Sequence, residues 1–463
     1  MRNFCFLLIL VLLSCTKVDL NYQGSQTSQT SKVVDPLSTF KGYKVDPNAR
    51  HLGSEYWYHN NPVIPDLVVG AFQGTNDGCC LYNQWFQGVV SGDFNNDGWI
   101  DVFNAGTSYN GPKSNFSFLI WNPTTKKFDK TNLFNDKSFT SFGGNKNTIR
   151  PCYLNDDNYV DLVVFDGGDE GIPNSPDEPI RIILSDGKGG YDLKEIQTSE
   201  NEIPLNKKEK GDVGDLNGDG LPDLLLPANN CIYIYWGIKD FPYFTKNNRA
   251  KFVGDFTNFG NTTDNGFGEK VPFVAGKSYT TFIYDINNDG KNDIVIGKGE
   301  EHNSNLFPMQ PLVLLNQGGG RFNSNGIIKL PFYRTDDNIN VTIQDIIVDD
   351  INGDGLKDII ATNDQSSGGT WSPWDIYCYI QQKDGSYLID KTLFQYSIND
   401  FRRGDWKRRL IYYDFNGDGK KDVSFVDASA GTLHYKSVFI RTDNKFVETD
   451  YYQFDIFSKL LGF

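Results

Sequence analysis

Positive charge is the first thing this sequence is short of: 44 Lys and Arg stand against 59 Asp and Glu in 463 residues, a formal charge of −15. Binding phosphates by counterion release needs clustered Lys and Arg, and no stretch supplies them, so a nucleic-acid partner is excluded. Histidine is scarce, with His51, His59, His302 and His434 the full complement, and no GxSxG nucleophile motif occurs. No CxxC pair exists to hold zinc. Beyond the N-terminus, no apolar run is long enough to span a membrane. Aromatics are not lacking: 34 Phe, 24 Tyr and 8 Trp provide ample apolar surface to bury, which excludes a disordered acidic chain. With 46 Gly, 19 Pro and only 2 Met, the composition leans toward strands and turns rather than long helices.

The N-terminus reads as a targeting signal. Met1-Arg2-Asn3 precedes an apolar run from Phe4 to Leu13, about the size of a signal-peptide core and too short to cross a bilayer. Leu12-Leu13-Ser14-Cys15 resembles the lipobox of bacterial lipoproteins, which implies removal of residues 1–14 and lipidation at Cys15; the alternative is an ordinary secreted protein with an incidental cysteine. Residues 15–37, rich in Ser, Gln and Thr and without apolar periodicity, read as a flexible tether, and 38–463 as the folded domain. The expected location is the bacterial envelope, on the outer membrane, periplasmic or surface-exposed, with the lipid as the only membrane contact. Five cysteines remain in the folded part, the vicinal Cys79-Cys80 pair with Cys152, Cys231 and Cys378; they are expected to be buried small hydrophobes with at most one or two bridges.

A repeat carries most of the information. The pattern Asp-x-Asn-x-Asp-Gly-x-x-Asp occurs five times, beginning at Asp93, Asp215, Asp285, Asp350 and Asp414. Its third position is Asn95, Asn217, Asn287, Asn352 and Asn416; its fifth Asp97, Asp219, Asp289, Asp354 and Asp418; its ninth Asp101, Asp223, Asp293, Asp358 and Asp422. A sixth, degenerate copy has Tyr153 in first place but keeps Asn155, Asp157 and Asp161, with Asn158 for the Gly. The copies recur every 60 to 70 residues, a unit of about four strands.

Ligand geometry gives this pattern a chemistry. A hard cation such as calcium wants six to eight oxygens, and alternate side chains at positions one, three and five of a tight loop supply three. Gly at position six permits the bend, the position-seven carbonyl (Trp99, Leu221, Lys291, Leu356, Lys420) adds one, and the ninth carboxylate closes the shell. Five or six structural calcium ions are expected. The helical calcium hand is excluded, because position twelve holds Asn104, Leu226, Ile296, Ala361 and Phe425 rather than Glu and the flanks are strand-like. Five divalent ions return about +10 to a mature chain of about −16, so much of the acidity is an internal demand for metal.

Ser91-Gly-Asp-Phe-Asn-Asn-Asp-Gly-Trp-Ile-Asp101-Val and Val213-Gly-Asp-Leu-Asn-Gly-Asp-Gly-Leu-Pro-Asp223-Leu resemble the FG-GAP or VCBS repeat of integrin-alpha-like β-propellers. Ile180–Tyr191 and Leu312–Phe322 agree, each a strand, a Gly-rich turn and an aromatic-opened strand. The resemblance covers about residues 75 to 463 and implies an all-β propeller of four-stranded blades, each metal loop joining an innermost strand to the next. Residues 38–86 make either a metal-free first blade or an edge-closing extension, so seven blades are expected, with six the alternative.

The resemblance also places partners on the face opposite the metal loops, on the loops from second to third strand: 106–115, 166–179, 297–311, 363–374 and 427–432. These hold Tyr109; Asp166, Asp169 and Glu170; Glu300, Glu301 and His302; and Trp371 with Trp374. Aromatics beside carboxylates suit a sugar-binding surface, and solvated rim loops are the equal alternative. Two functions follow: a monomeric, non-catalytic binding module for a protein or glycan, or a lyase-like enzyme on polysaccharide. The enzyme reading would take Glu300, Glu301, His302, Asp169 and Tyr109 as acid, base and charge stabiliser.

Overall fold

The computed structural model describes residues 89–104, 116–139, 148–165, 180–196, 211–228, 231–245, 247–253, 262–264, 270–272, 280–297, 311–332, 340–367, 370–396, 407–413, 418–427, 438–443 and 445–449. Each sequence repeat supplies four short runs of β-branched, apolar and aromatic residues separated by Gly, Asn and Asp, and each run becomes a strand. Blade 1 is β1 (Val89–Gly92), β2 (Asp101–Asn104), β3 (Ser117–Asn122) and β4 (Lys127–Thr131). Blade 2 is β5 (Thr148–Cys152), β6 (Asp161–Phe165), β7 (Arg181–Ser185) and β8 (Tyr191–Glu195). Blade 3 is β9 (Asp212–Gly214), β10 (Asp223–Ala228), β11 (Cys231–Tyr235) and β12 (Arg249–Val253). A two-stranded ribbon follows, β13 (Thr262–Asp264) with β14 (Lys270–Pro272). Blade 4 is β15 (Thr280–Tyr284), β16 (Asp293–Gly297), β17 (Leu312–Asn316) and β18 (Phe322–Lys329). Blade 5 is β19 (Asn340–Asp349), β20 (Asp358–Ser367), β21 (Thr370–Gln381) and β22 (Tyr387–Asp390). In the last sheet β23 (Phe394–Gln395) runs parallel to the outer strand of blade 6, which is β24 (Lys407–Tyr413), β25 (Asp422–Asp427), β26 (Val438–Arg441) and β27 (Phe446–Thr449).

Within each blade the strands pair antiparallel in chain order. The first strand of each blade lies beside the first strand of the next, so β1, β5, β9, β15, β19 and β24 line the inside of a propeller ring. The described residues make six four-stranded blades, the lower of the two expected counts, and residues 38–86 lie outside them. So do residues 1–37 with Cys15, and Cys79 and Cys80. Cys152 and Cys378 are free and buried, as expected of small core hydrophobes. Among the described residues no helix is long and apolar enough to cross a membrane.

The core lies between blades rather than within them. One cluster joins Val163, Phe165 and Ile182 of blade 2 to Leu224, Tyr233 and Tyr235 of blade 3, and three more repeat this arrangement around to blade 6. Blades 2 to 5 each have a neighbouring sheet on both faces, so their strands read as nearly continuous apolar runs, such as the fully buried Asp293–Gly297. Polar ties join the inner strands. Asp212 receives the Ile283 N–H of the next blade (2.7 Å) and pairs with Arg150 of the previous one (3.4 Å). Asp345 receives the Leu410 N–H of the next blade (2.7 Å), and Thr280 donates to the Ile343 carbonyl (2.9 Å).

Blade 5 departs from the pattern. Its first three strands run 10, 10 and 12 residues, and the extra five or so per strand add roughly 16 Å. They extend away from the metal loop, because Asp349 pairs Asp358 at the loop end and Asn340 pairs Ser366 at the other. The expected loop 363–374 is therefore corrected: most of it is ladder, with Asp364 opposite Trp374 and Ser366 opposite Trp371. A register shift between those pairs accommodates Pro373, which has no N–H to give a ladder.

Candidate metal-binding loops

Each repeat loop joins the innermost strand of its blade to the second strand, as the resemblance implies. Its side chains form a graded series from core to solvent. Position nine is the anchor: Asp101, Asp161, Asp223, Asp293, Asp358 and Asp422 are all 0% exposed. One oxygen of each accepts an N–H from the end of the third strand or within two residues of it, from Trp121, Ser185, Gly237, Asn316, Gln381 and Arg441 at 2.7 to 2.9 Å. In the first five of these loops the other oxygen accepts the position-two N–H, from Phe94, Leu154, Leu216, Ile286 and Ile351 at 2.8 to 3.0 Å.

The turn itself is closed by side chains accepting N–H groups. Asp93, Asp285 and Asp350 take the amides of positions five and six, and Asp215 those of Gly218 and Gly220. The amide oxygens of Asn95, Asn217, Asn287 and Asn352 take the position-five N–H. Asp97, Asp219, Asp289, Asp354 and Asp418 take the N–H of Trp99, Leu221, Lys291, Leu356 and Lys420. A carboxylate or amide oxygen has a second lone pair, so these bonds preset the loop while leaving acceptor capacity for a cation.

Two loop positions escaped the sequence reading. Position two (Phe94, Leu216, Ile286, Ile351) is a buried apolar anchor. Position four has a left-handed backbone, with φ of 57° at Asn96, 81° at Gly218, 57° at Asn288 and 80° at Gly353. Both were readable: across the five intact copies position two is always apolar and position four always Asn or Gly, the residues that tolerate this conformation.

The electrostatics favour a bound cation. Burial pushes the carboxyls of Asp161, Asp223 and Asp293 up to about 7 and Asp358 up to about 6, against the lowering effect of their N–H donors. Asp101 is raised well above the usual carboxylate range, again by burial first, with Asp93 and Asp97 adding repulsion. Around Asp223, Asp293 and Asp358 the remaining upward push likewise comes from the loop's other carboxylates. A hard cation among these oxygens would remove that penalty, and in this respect the donor set fits calcium. Among the described residues no three His, Cys, Asp or Glu side chains converge as a metal-binding group; Asn oxygens and the position-seven carbonyl belong to the expected shell in addition. In loop 4 burial pushes the Asp289 carboxyl up, but the Lys291 ammonium (2.6 Å), the Lys291 N–H and the Asn287 amide together hold it low. In loop 6, Lys420 instead pairs with Asp443, and Asp414 and Asn416 lie outside the described residues.

The degenerate loop keeps the anchor and part of the turn: Asn155 Oδ1 accepts the Asp157 N–H (3.3 Å) and Asp157 Oδ1 the Tyr159 N–H (2.8 Å). Asp161 holds Leu154 and Ser185 as its counterparts do, but Tyr153 contributes no carboxylate. Asn155 gives its amide N–H to the Ser185 carbonyl (3.1 Å), and exposed Asp156 pairs with Lys239 (2.8 Å). Asp156 and Asn158 are not among the described residues with left-handed backbone.

The opposite face is only partly described. Tyr109, Asp166, Asp169, Glu170, Glu300, Glu301 and His302 lie outside the described residues. Trp371 and Trp374 stand in β21, on the projecting part of blade 5.

Comparison with known proteins adds to this geometry. The FG-GAP-like repeat family model matches residues 350–425, from the loop of blade 5 into β25. No curated protein matches the chain. Among solved structures, the V. cholerae biofilm matrix protein Bap1 is 11% identical, covering 78% of this chain and 81% of its own, with a TM-score of 0.34; a likeness that loose carries no argument about function. The family match falls on one of the repeats that recur from blade to blade around the ring: the chain is a β-propeller that carries an FG-GAP-like repeat.

Proposed function

We propose that this propeller is a calcium-stabilised, non-catalytic binding module for a protein or glycan, held on the bacterial envelope by a lipid at Cys15. The supporting observation is the repeated loop, in which a fully buried carboxylate is surrounded by preset oxygens. Among the described residues no ammonium or guanidinium bonds Asp101, Asp223, Asp293 or Asp358. Burying such charge without a counterion is costly, and a divalent ion offsets that cost. The metal loops sit at one end of the strands and serve the scaffold, which leaves the other end for recognition. There the arm of blade 5 projects and carries Trp371 and Trp374, and in sequence Tyr109, Asp166, Asp169, Glu170, Glu300, Glu301 and His302 fall between second and third strands.

The test is thermal unfolding of the mature domain in calcium and in chelator, followed by retention of the calcium-loaded protein on a panel of glycans and envelope proteins. Calcium should raise the midpoint, and unfolding that is indifferent to chelation removes calcium from the reading. Retention without chemical change of the ligand is expected. Shortened or unsaturated glycan products, abolished by Glu300→Gln or His302→Ala, would replace the binding module with an enzyme. Cys15→Ala should release the protein from the membrane fraction.

A further inference from the structure

Three position-two carbonyls accept a hydrogen bond from a side chain of the following blade. The Tyr191 hydroxyl donates to the Phe94 carbonyl (3.0 Å), Asn316 Nδ2 to the Leu216 carbonyl (2.6 Å) and Arg441 Nη2 to the Ile351 carbonyl (2.6 Å). The N–H of the same three residues is held by the ninth-position carboxylate of its own loop. In blades 4 and 6 the donor residue also gives its own N–H to its blade's ninth carboxylate, Asn316 to Asp293 (2.8 Å) and Arg441 to Asp422 (2.7 Å). Two relays result: Asp223–Leu216–Asn316–Asp293 and Asp358–Ile351–Arg441–Asp422. In blade 2 the donor Tyr191 faces Ser185 across the ladder, and the Ser185 N–H holds Asp161.

The alternation has a cause in the residues. The place held by Asn316 in blade 4 and Arg441 in blade 6 is Gly237 in blade 3, which has no side chain to reach back. In blade 5 it is Gln381, whose Oε1 accepts the Lys357 N–H of its own loop (3.0 Å). Asn292 strengthens one relay by donating to the Asp215 carbonyl (2.9 Å), which ties loop 4 to the first ligand position of loop 3.

We propose that the metal loops work in pairs, loop 3 with loop 4 and loop 5 with loop 6, and that Asn316 and Arg441 are positioning residues that make calcium binding within each pair cooperative. The inference rests on the calcium reading above. Ligation at positions one, three and nine immobilises the position-two peptide, which lies between the first two ligands and bonds the third. The fixed carbonyl then orders the Asn316 or Arg441 side chain, whose own N–H sits on the neighbouring ninth carboxylate, so the second loop has less left to order. Such coupling is reciprocal and is worth ~5-fold or more in affinity.

Hydrogen exchange of the mature full-length chain across a calcium series, resolved by peptide, tests this. In the unaltered chain the segments 215–223 and 285–293 should become protected at the same calcium concentration. Asp285→Ala, which removes a ligand from loop 4 only, should raise the midpoint of 215–223 by ~5-fold or more and leave 350–358 in place. In Asn316→Ala the two segments should protect independently, and Asp285→Ala added to it should no longer move 215–223. Asp414→Ala with and without Arg441→Ala supplies the same cycle for 350–358 if the Asn316 variant does not fold. A 215–223 midpoint unmoved by Asp285→Ala, or moved equally in the Asn316→Ala background, overturns pairing while leaving calcium intact. Absence of calcium-dependent protection in every loop overturns the calcium reading and the pairing with it.

Discussion

At the residue scale the ninth-position aspartate is the pivot of each repeat. It receives the start of the loop on one oxygen and the end of the third strand on the other, in a place closed to water. That duty fixes a pH dependence. Asp161, Asp223 and Asp293 titrate near 7 and Asp358 near 6 in the folded chain without metal, against about 4 when unfolded. The folded values are raised, so these groups contribute stability that is fully present below about pH 4 and is lost as pH rises through 6 to 7. In chelator, the contribution of these groups should therefore lower the melting temperature from pH 4 to pH 8. Saturating calcium, which favours the ionised form, should flatten or reverse that trend; identical profiles in the two conditions would contradict it. A second prediction concerns Gly355, whose φ is 87° with nothing within 4 Å of an added Cβ. Gly355→Ala should cost about 1–2 kcal/mol by denaturant titration, from backbone strain alone.

At the element scale blade 5 is the exception that shapes the molecule. Its strands outrun β22, which pairs β21 only over Cys378–Gln381. Where that pairing stops, the Tyr396 hydroxyl accepts the Ile376 N–H (3.1 Å) and donates to Asp375 Oδ1 (2.5 Å). Tyr396 thus substitutes for a ladder partner at the root of the projecting arm. Tyr396→Phe should destabilise by about 1–2 kcal/mol, with hydrogen exchange accelerated at Ile376 more than in the other blades. Replacing 365–372 by a two-residue turn should leave the melting temperature within a few degrees but abolish retention on the ligand that the module binds.

At the scale of the whole molecule, stability is a property of interfaces. Apolar clusters run from blade to blade, and on the inner strands buried carboxylates and a hydroxyl tie one blade to the next. Asp345 is an acceptor between blades 5 and 6, taking the Ile346 N–H of its own blade and the Leu410 N–H of the next. Asp345→Ala leaves two buried donors without that acceptor and should cost about 2–4 kcal/mol, seen as an earlier unfolding step for 407–449 in exchange or limited proteolysis. Uniform loss across all blades would argue against a localised tie.

The sequence by itself determined the repeat, its four-strand period and the acidic residues that fill each loop, and through its resemblance to the FG-GAP repeat the place of each loop between first and second strand. Loop chemistry is local: nine consecutive residues carry their own turn signals and donors, so residue spacing alone specifies them. It also carried the apolar position two and the Asn or Gly at position four, which repeat as regularly as the carboxylates. Only the tertiary structure decided which neighbours share a relay, because that depends on whether Gly237, Asn316, Gln381 or Arg441 ends a strand beside another blade's loop. It also decided that 363–374 continues a ladder: a segment with Gly, Ser and Pro reads as a loop in isolation, and pairing with β19 and through a register shift overrides that preference. Contacts between residues 60 to 100 apart in sequence leave no local signature, and in a ring of near-identical blades they are what distinguishes one interface from the next.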